Sequence, residues 1–191
     1  VYTMCGIVGY IGKNQAAPIL LEGLEKLEYR GYDSAGIATL NNGKIEVAKA
    51  KGRLAVLAEK TNNGKSVPGT IGIGHTRWAT HGEPSDVNAH PHVSMDGRFS
   101  IVHNGIIENY ISLKEKLISK GYEFKSETDT EVIAHLFEYY YKGDIIDAMI
   151  KVINRVEGSY ALGVLCADYP DQFVAVRKAS PMIIGLGKEE N

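Results

Sequence analysis

A cysteine close to the start of the chain is the residue best suited to covalent chemistry. Cys5 opens the sequence CGIVGY, and four residues, VYTM, precede it. A cysteine at an N-terminus can use its own α-amino group as the base for its thiol, a device of hydrolases and transferases. In the printed sequence this nitrogen is an amide without basicity, so the mechanism requires the removal of residues 1–4.

Two charged residues far apart in the sequence suit the recognition of an amino acid. Arg77 lies in the loop sequence HTRWATHG and can place two donors on a carboxylate, or form an ordinary salt bridge. Asp129 precedes a predicted helix, where it either pairs with a ligand ammonium or caps the helix in competition with Ser126 and Thr128. Together Arg77 and Asp129 would bind both charged groups of an amino acid.

The dipeptide Asn104-Gly105 follows a predicted strand and has two interpretations. Asn-Gly is a common turn sequence, which would simply end the strand. Alternatively, the asparagine amide and the next backbone N–H converge as two neutral donors on an oxyanion. The residue types alone leave both open.

Four histidines, His75, His81, His90 and His92, raise the question of a metal site. Their spacing matches no established zinc signature, and neither a cysteine pair nor an HExxH helix accompanies them. We therefore expect no metal and no cofactor. For His75 and His90 we predict structural hydrogen bonds to the backbone.

The composition is that of an ordinary globular protein. The 191 residues are 44% hydrophobic and 23% charged, with a formal net charge of -2, which disfavours nucleic acid as a partner. No apolar stretch approaches the length of a membrane span and no signal peptide is recognisable, so we expect a cytoplasmic protein. Cys5 and Cys166 are expected to be free thiols, the latter in the core.

Hydrophobic periodicity predicts strands and helices in an order that lacks the regular alternation of a parallel α/β sheet. The predicted strands are 6–11, 35–40, 44–50, 70–75, 99–103, 160–166 and 173–177, with a last apolar run at 182–186. The predicted helices are 18–27, 53–60, 108–119, 130–141 and 145–155, and 76–92 is an ordered loop. The fold class expected is α+β with antiparallel sheets.

Six motifs occur together and in order along this chain. They are MCGIVGY from Met4, YRGYDSAG from Tyr29, HTRWATHG from His75, NAHPH from Asn88, HNG from His103 and SETDTE from Ser126. This set resembles the glutaminase domains of the glucosamine-6-phosphate synthases, which are class II glutamine amidotransferases. The resemblance covers essentially the whole chain and implies the N-terminal-nucleophile hydrolase fold, a four-layer αββα sandwich.

The resemblance also implies a reaction, hydrolysis of the glutamine side-chain amide to glutamate and ammonia. It makes Cys5 the nucleophile, with its freed α-amine as general base and acid, and it forms the oxyanion hole from Asn104 and the Gly105 N–H. Arg77 would bind the glutamine α-carboxylate and Asp129 its α-ammonium.

Further residues receive subsidiary roles by the same resemblance. Thr80 and His81 would line the glutamine pocket, Trp78 and Arg30 would lie near the exit for ammonia, and His90 would support the site.

The resemblance divides the protein into parts as well. Residues 1–4 are a tag remnant or a start segment to be removed, and residues 5–191 form the amidotransferase domain. Fructose 6-phosphate would be bound only by isomerase domains that this chain lacks, and the full-length enzyme would be a homodimer.

Three alternatives stand beside this prediction. The chain is another class II amidotransferase, such as a purine-pathway or asparagine-forming one, although the motifs at Tyr29 and His75 argue against this. It is a glutamine-binding domain, inactive as purified because Cys5 is blocked. Or it is a structural protein, which six ordered motifs disfavour.

Overall fold

The strands of the described residues form two antiparallel sheets of four strands each. The structure is a computed structural model that describes residues 5–30 and 32–191. The first sheet has the order β1-β4-β2-β3 and contains β1 (Gly6–Ile11), β2 (Ser34–Asn41), β3 (Lys44–Lys51) and β4 (Ile71–Arg77). The second has the order β5-β6-β7-β8 and contains β5 (His92–Val93), β6 (Phe99–Ile107), β7 (Gly158–Cys166) and β8 (Val174–Lys178).

Five α-helices in the described part of the chain cover the outer faces of the sheets. They are α1 (Ala16–Glu25), α2 (Leu54–Lys60), α3 (Tyr110–Ile118), α4 (Glu131–Tyr140) and α5 (Ile145–Ile153). The first two pack on the first sheet and the other three on the second. An apolar layer that includes Leu40, Ile71, Ile73, Val102 and Leu165 lies between the sheets. This confirms the expected αββα sandwich.

The hairpin between β2 and β3 forms where the turn sequence predicts it. Asn42 and Gly43 both have positive φ angles, 50° and 73°. These values suit a two-residue turn whose twist matches that of the paired strands. Local sequence is therefore sufficient for this element.

Two strands extend two or more residues beyond their predicted C-terminal ends. β4 continues to Arg77, and β6 continues through Asn104-Gly105 to Ile107. The partner strand β7 pairs with β6 along its whole length, from Phe99 opposite Cys166 to Ile107 opposite Gly158. The interpretation of Asn104-Gly105 as a turn that ends the strand is therefore wrong, because both residues remain paired with β7.

The apolar run at 182–186 does not form the predicted strand. Most of its side chains are exposed, with Ile183 95% and Leu186 85% accessible to solvent. An apolar run forms a strand only where a neighbouring strand pairs with it, and no described strand lies beside this one.

Within the described ranges, no helix is long and apolar enough to cross a membrane. The two cysteines are both free thiols, as predicted. Cys166 is fully buried in the core beneath the second helix layer, which confirms its structural interpretation.

Candidate active site

Cys5 lies directly before β1, at the edge where β4 leads into the polar loop. Its Sγ accepts a hydrogen bond from the backbone N–H of Trp78 at 3.1 Å. The next residue is held as well, since the Gly6 N–H donates to Thr76 Oγ1 at 3.2 Å. The pairing of β1 with β4 thus brings a thiol from the start of the chain to a loop more than seventy residues away.

The surroundings of Cys5 favour the neutral thiol. Burial raises the pKa of the Cys5 thiol, and the nearby negative charge of Asp33 raises it further. The hydrogen bond from Trp78 and the positive charge of Arg77 act in the opposite direction, but burial is the largest contribution. Because the thiolate is the nucleophile, this cysteine needs a base to remove its proton.

Asn104 reaches Cys5 from the other sheet. Its side-chain Nδ2 donates to the backbone carbonyl of Cys5 at 2.9 Å. An amide nitrogen carries two hydrogens, so one remains for a further acceptor beside the thiol. The structure therefore brings the predicted nucleophile and the predicted oxyanion donor together.

Gly105 has a conformation that requires glycine. Its φ is 124°, and a Cβ atom at this position would lie 2.0 Å from the carbonyl oxygen of Ser159 on β7. That contact is with backbone and cannot be relieved by turning a side chain. The backbone after Asn104 can therefore take this course only because no side chain is present.

Arg77 is buried and is bonded to its own loop. Its Nη2 donates to the carbonyl oxygens of His81 and Gly82, the latter at 2.9 Å, and its Nη1 lies 3.6 Å from Asp33 Oδ1. The salt bridge considered from the sequence is thus present. Arg77 thereby fixes the conformation of the loop that follows it, near Cys5.

Thr80 and His81 connect this loop to Asp129. Thr80 Oγ1 lies 3.2 Å from His81 Nδ1, and the same nitrogen is 3.9 Å from Asp129 Oδ1. The ring of His81 also packs edge-on against Tyr110, with centroids 5.2 Å apart. The predicted pocket residues Thr80, His81 and Asp129 therefore converge, although they come from two different segments.

Asp129 does not cap the following helix. It is buried, and its Oδ2 accepts from the backbone N–H of Ile107 at 2.8 Å, at the end of β6. The residue at the N-cap of α4 is Thr130, which makes no side-chain cap. The competing caps are also wrong: Ser126 donates to Glu131, and Thr128 bonds His92.

Three further residues, Trp78, His90 and Arg30, were predicted to border the exit or to support the site. Trp78 is 44% exposed beside Cys5. His90 is buried, stacks on His75 with centroids 4.1 Å apart, and accepts from the backbone N–H of His103 at 3.3 Å. The predicted backbone bonds of His75 and His90 are thus confirmed. The side chain of Arg30 and residues 1–4 lie outside the described part of the structure.

Asp33 was missed as a site residue. Its carboxylate accepts from the Ala79 N–H and from Ser34 Oγ, and it faces Arg77. It thereby fixes the loop that carries the predicted pocket. The signal was present, because Asp33 belongs to one of the six motifs, but its partner lies on another strand.

Among residues 5–30 and 32–191, no group of three or more His, Cys, Asp or Glu side chains is arranged to hold a metal ion. The buried imidazoles near this site, His75, His90, His92 and His103, bond to backbone and side-chain oxygens or stack on one another.

The αββα sandwich, with a cysteine directly before its first strand, matches the N-terminal-nucleophile hydrolase fold that the sequence predicts. Residues 75–186 match the glutamine amidotransferase domain family. The chain belongs to this family.

The relatives extend the comparison to nearly the whole chain. The isomerizing glutamine–fructose-6-phosphate aminotransferase of Caldanaerobacter subterraneus subsp. tengcongensis is 67% identical over 188 residues, covering 98% of this chain and 31% of the relative. That of Clostridium tetani is 65% identical over 187 residues, with the same 98% and 31% coverage. The chain therefore spans about a third of the length of these relatives.

A solved structure supports the fold and separates the alternatives. The glutamine phosphoribosylpyrophosphate amidotransferase from B. subtilis superimposes with a TM-score of 0.73 at 29% identity, covering 84% of this chain and 35% of that one. Its identity to this chain is much lower than that of the aminotransferases. The interpretation as another class II amidotransferase is therefore not favoured.

Proposed function

We propose that this domain hydrolyses the side-chain amide of glutamine to glutamate and ammonia. In the longer protein the ammonia serves to make glucosamine 6-phosphate from fructose 6-phosphate. The observation that carries the proposal is the hydrogen bond of 2.9 Å from Asn104 Nδ2 to the Cys5 carbonyl, which supports a role for Asn104 as oxyanion donor beside the thiol. The family and the aminotransferase relatives support the choice of glutamine.

The reaction proceeds through an acyl-enzyme. Cys5 Sγ attacks the amide carbon while its proton passes to the α-amine of the same residue, which requires cleavage of the bond between Met4 and Cys5. Asn104 Nδ2 and the Gly105 N–H bind the oxyanion. The amine returns the proton to the departing ammonia. The same amine then deprotonates a water molecule that attacks the thioester carbon, the carbon–sulfur bond breaks to release glutamate, and the amine returns this proton to the Cys5 thiolate.

The buried thiol supports this choice of base. Because burial raises the Cys5 pKa, a base must remove the proton, and an α-amine with an ordinary pKa near 8 is suited to do so at neutral pH. In this proposal Arg77 binds the glutamine α-carboxylate, Asp129 binds the α-ammonium, and Thr80 and His81 line the pocket.

Other parts of the proposal concern the entrance to the site and the longer protein. Trp78 and Arg30 border the path by which ammonia leaves, and His90 supports the site from beneath. We also propose that the longer protein is cytoplasmic and forms a homodimer. Light scattering of that protein would test the homodimer.

The test combines a glutaminase assay with the intact mass of the same sample. We expect glutamate release from the chain that begins at Cys5 and none from the chain that begins at Val1. The variant Cys5→Ala, as control, releases no glutamate in either form. Equal turnover by the chain that retains Val1 contradicts the α-amine mechanism, and no turnover by either form supports a glutamine-binding domain instead.

A further inference from the structure

Two stacked imidazoles hold both backbone polar groups of the residue before Asn104. His75 Nε2 lies 3.0 Å from the carbonyl oxygen of His103, and His90 Nδ1 accepts from the His103 N–H at 3.3 Å. The two rings are nearly parallel, with an interplanar angle of 16° and centroids 4.1 Å apart. Both side chains are buried, so water does not compete for these bonds.

The carbonyl of His103 determines which nitrogen of His75 carries the proton. A backbone carbonyl only accepts, so Nε2 must be the protonated nitrogen. Burial lowers the pKa of His75 to about 3, and the ring is therefore neutral at physiological pH with Nδ1 unprotonated. The tautomer is thus fixed by backbone and not by a titrating neighbour.

The Nε2–H of His75 also determines the orientation of the Asn104 amide. His75 Nε2 lies 2.8 Å from Asn104 Oδ1, so the donor engages the amide oxygen, and Asn104 Nδ2 points to Cys5. A rotated amide would place its oxygen against the Cys5 carbonyl and its nitrogen against a donor. Both contacts would be repulsive.

We propose that His75 is a positioning residue for the oxyanion hole, because its Nε2–H holds Asn104 with the amide nitrogen facing the nucleophile. This inference rests on the proposed role of Asn104. Without the bond from His75, the amide also populates the rotated orientation, which turns an oxygen towards the developing negative charge. The effect falls on the transition state, since the glutamine α-carboxylate and α-ammonium are bound elsewhere in the proposed site.

The experiment compares two side chains of similar length at this position. His75→Gln retains an N–H near the place of Nε2, and His75→Met does not. We expect His75→Met to lower the kcat of the glutaminase reaction about 100-fold with KM changed less than about threefold, and His75→Gln to recover most of the loss. Affinity for a glutamine analogue with an aldehyde in place of the amide falls in parallel with kcat, since its tetrahedral adduct also uses the hole.

A double-mutant cycle with Asn104→Ala tests whether His75 acts through Asn104. We expect Asn104→Ala to lower kcat about 100- to 1000-fold and His75→Met to add no further loss in that background. If the kcat losses of His75→Met and Asn104→Ala multiply in the double variant, the positioning role is wrong. Equal kcat values in His75→Gln and His75→Met would also overturn it. An unchanged kcat in Asn104→Ala itself contradicts the proposed function instead.

His135→Met is the matched folding control. His135 is also buried, on α4 beside Glu131, and has no contact with Asn104. We expect its kcat to be unchanged after correction for the folded fraction, measured by thermal unfolding. If His75→Met does not fold, His75→Phe, which retains the ring stacked on His90, replaces it in the same cycle.

Discussion

The two ends of the layer between the sheets differ in chemistry although the same strands form them. At one end, Ile71 and Ile73 of β4 pack with Val102 of β6. Two residues further along each strand, the same faces present His75 and Asn104, which bond to each other. The period of two along a strand thus continues from an apolar core into a polar site.

The two ends are held together by different forces. At the apolar end the stabilising free energy comes from burial of hydrocarbon, and it does not depend on the orientation of the contacts. At the polar end buried groups must find partners, and Asn104 is held by His75 on one side and Cys5 on the other. One end can therefore supply stability while the other supplies geometry, and the two should respond differently to pH and to mutation.

Acid should weaken the polar end most. Burial lowers the pKa of His75 to about 3 and that of His103 to about 4, whereas an unfolded histidine titrates near 6.5. The unfolded chain then binds more protons, so stability is fully present above about pH 6.5 and is lost as pH falls towards these values. We expect His75 and His103 together to lower the free energy of unfolding by about 4 kcal/mol between about pH 7.5 and 5. His90 and His92, whose pKa values burial also lowers, add to this drop.

Urea unfolding at the two pH values measures this drop. The ionisation of Glu131, whose pKa is lowered to about 2 chiefly by its hydrogen bonds against the opposing effect of burial, contributes only below this interval. A free energy of unfolding that stays constant from pH 7.5 to 5 contradicts the assignment of neutral buried histidines.

Truncation at the apolar end should cost stability and spare catalysis. Ile73 is fully buried, so Ile73→Ala should lower the free energy of unfolding by about 3 kcal/mol. Urea unfolding measures this value, and glutaminase kinetics on the folded protein should show kcat and KM unchanged. A fall in kcat without a fall in stability would mean that the two ends are coupled.

A charge change at the polar end should impair glutamine binding and leave stability nearly unchanged. In Asp129→Asn the amide oxygen can still accept from the Ile107 N–H, but the charge for a ligand ammonium is lost. We expect glutamine binding to weaken by about 2 kcal/mol, or about 30-fold in KM, with stability little changed. Glu123→Gln removes an exposed carboxylate and serves as the control. An unchanged KM in Asp129→Asn contradicts the proposed binding of the glutamine α-ammonium by Asp129.

The smallest effect is expected outside both ends. Ile184 is 71% exposed, so Ile184→Ser should change the free energy of unfolding by less than about 0.5 kcal/mol. Urea unfolding beside Ile73→Ala provides the comparison. A loss similar to that of Ile73→Ala would show that the 182–186 segment is covered by another part of the protein.

Most elements could be predicted because their signals are local. The β2–β3 hairpin follows from Asn42-Gly43, and strand β1 from a short apolar run. The prediction that β6 ends at His103 was wrong because Asn-Gly is a local turn signal that pairing with β7 overrides. The prediction of a strand at 182–186 was wrong because apolar character does not reveal whether a partner strand exists.

The sequence by itself determined the order of elements, the antiparallel α+β class and the set of motifs, because periodicity and turn residues act over a few positions. Only the tertiary structure decided that Asn104 meets Cys5, 99 positions away, that Asp129 bonds β6 and does not cap α4, and that Asp33 faces Arg77. These contacts depend on how two sheets pair and stack, and that arrangement is set by the whole core.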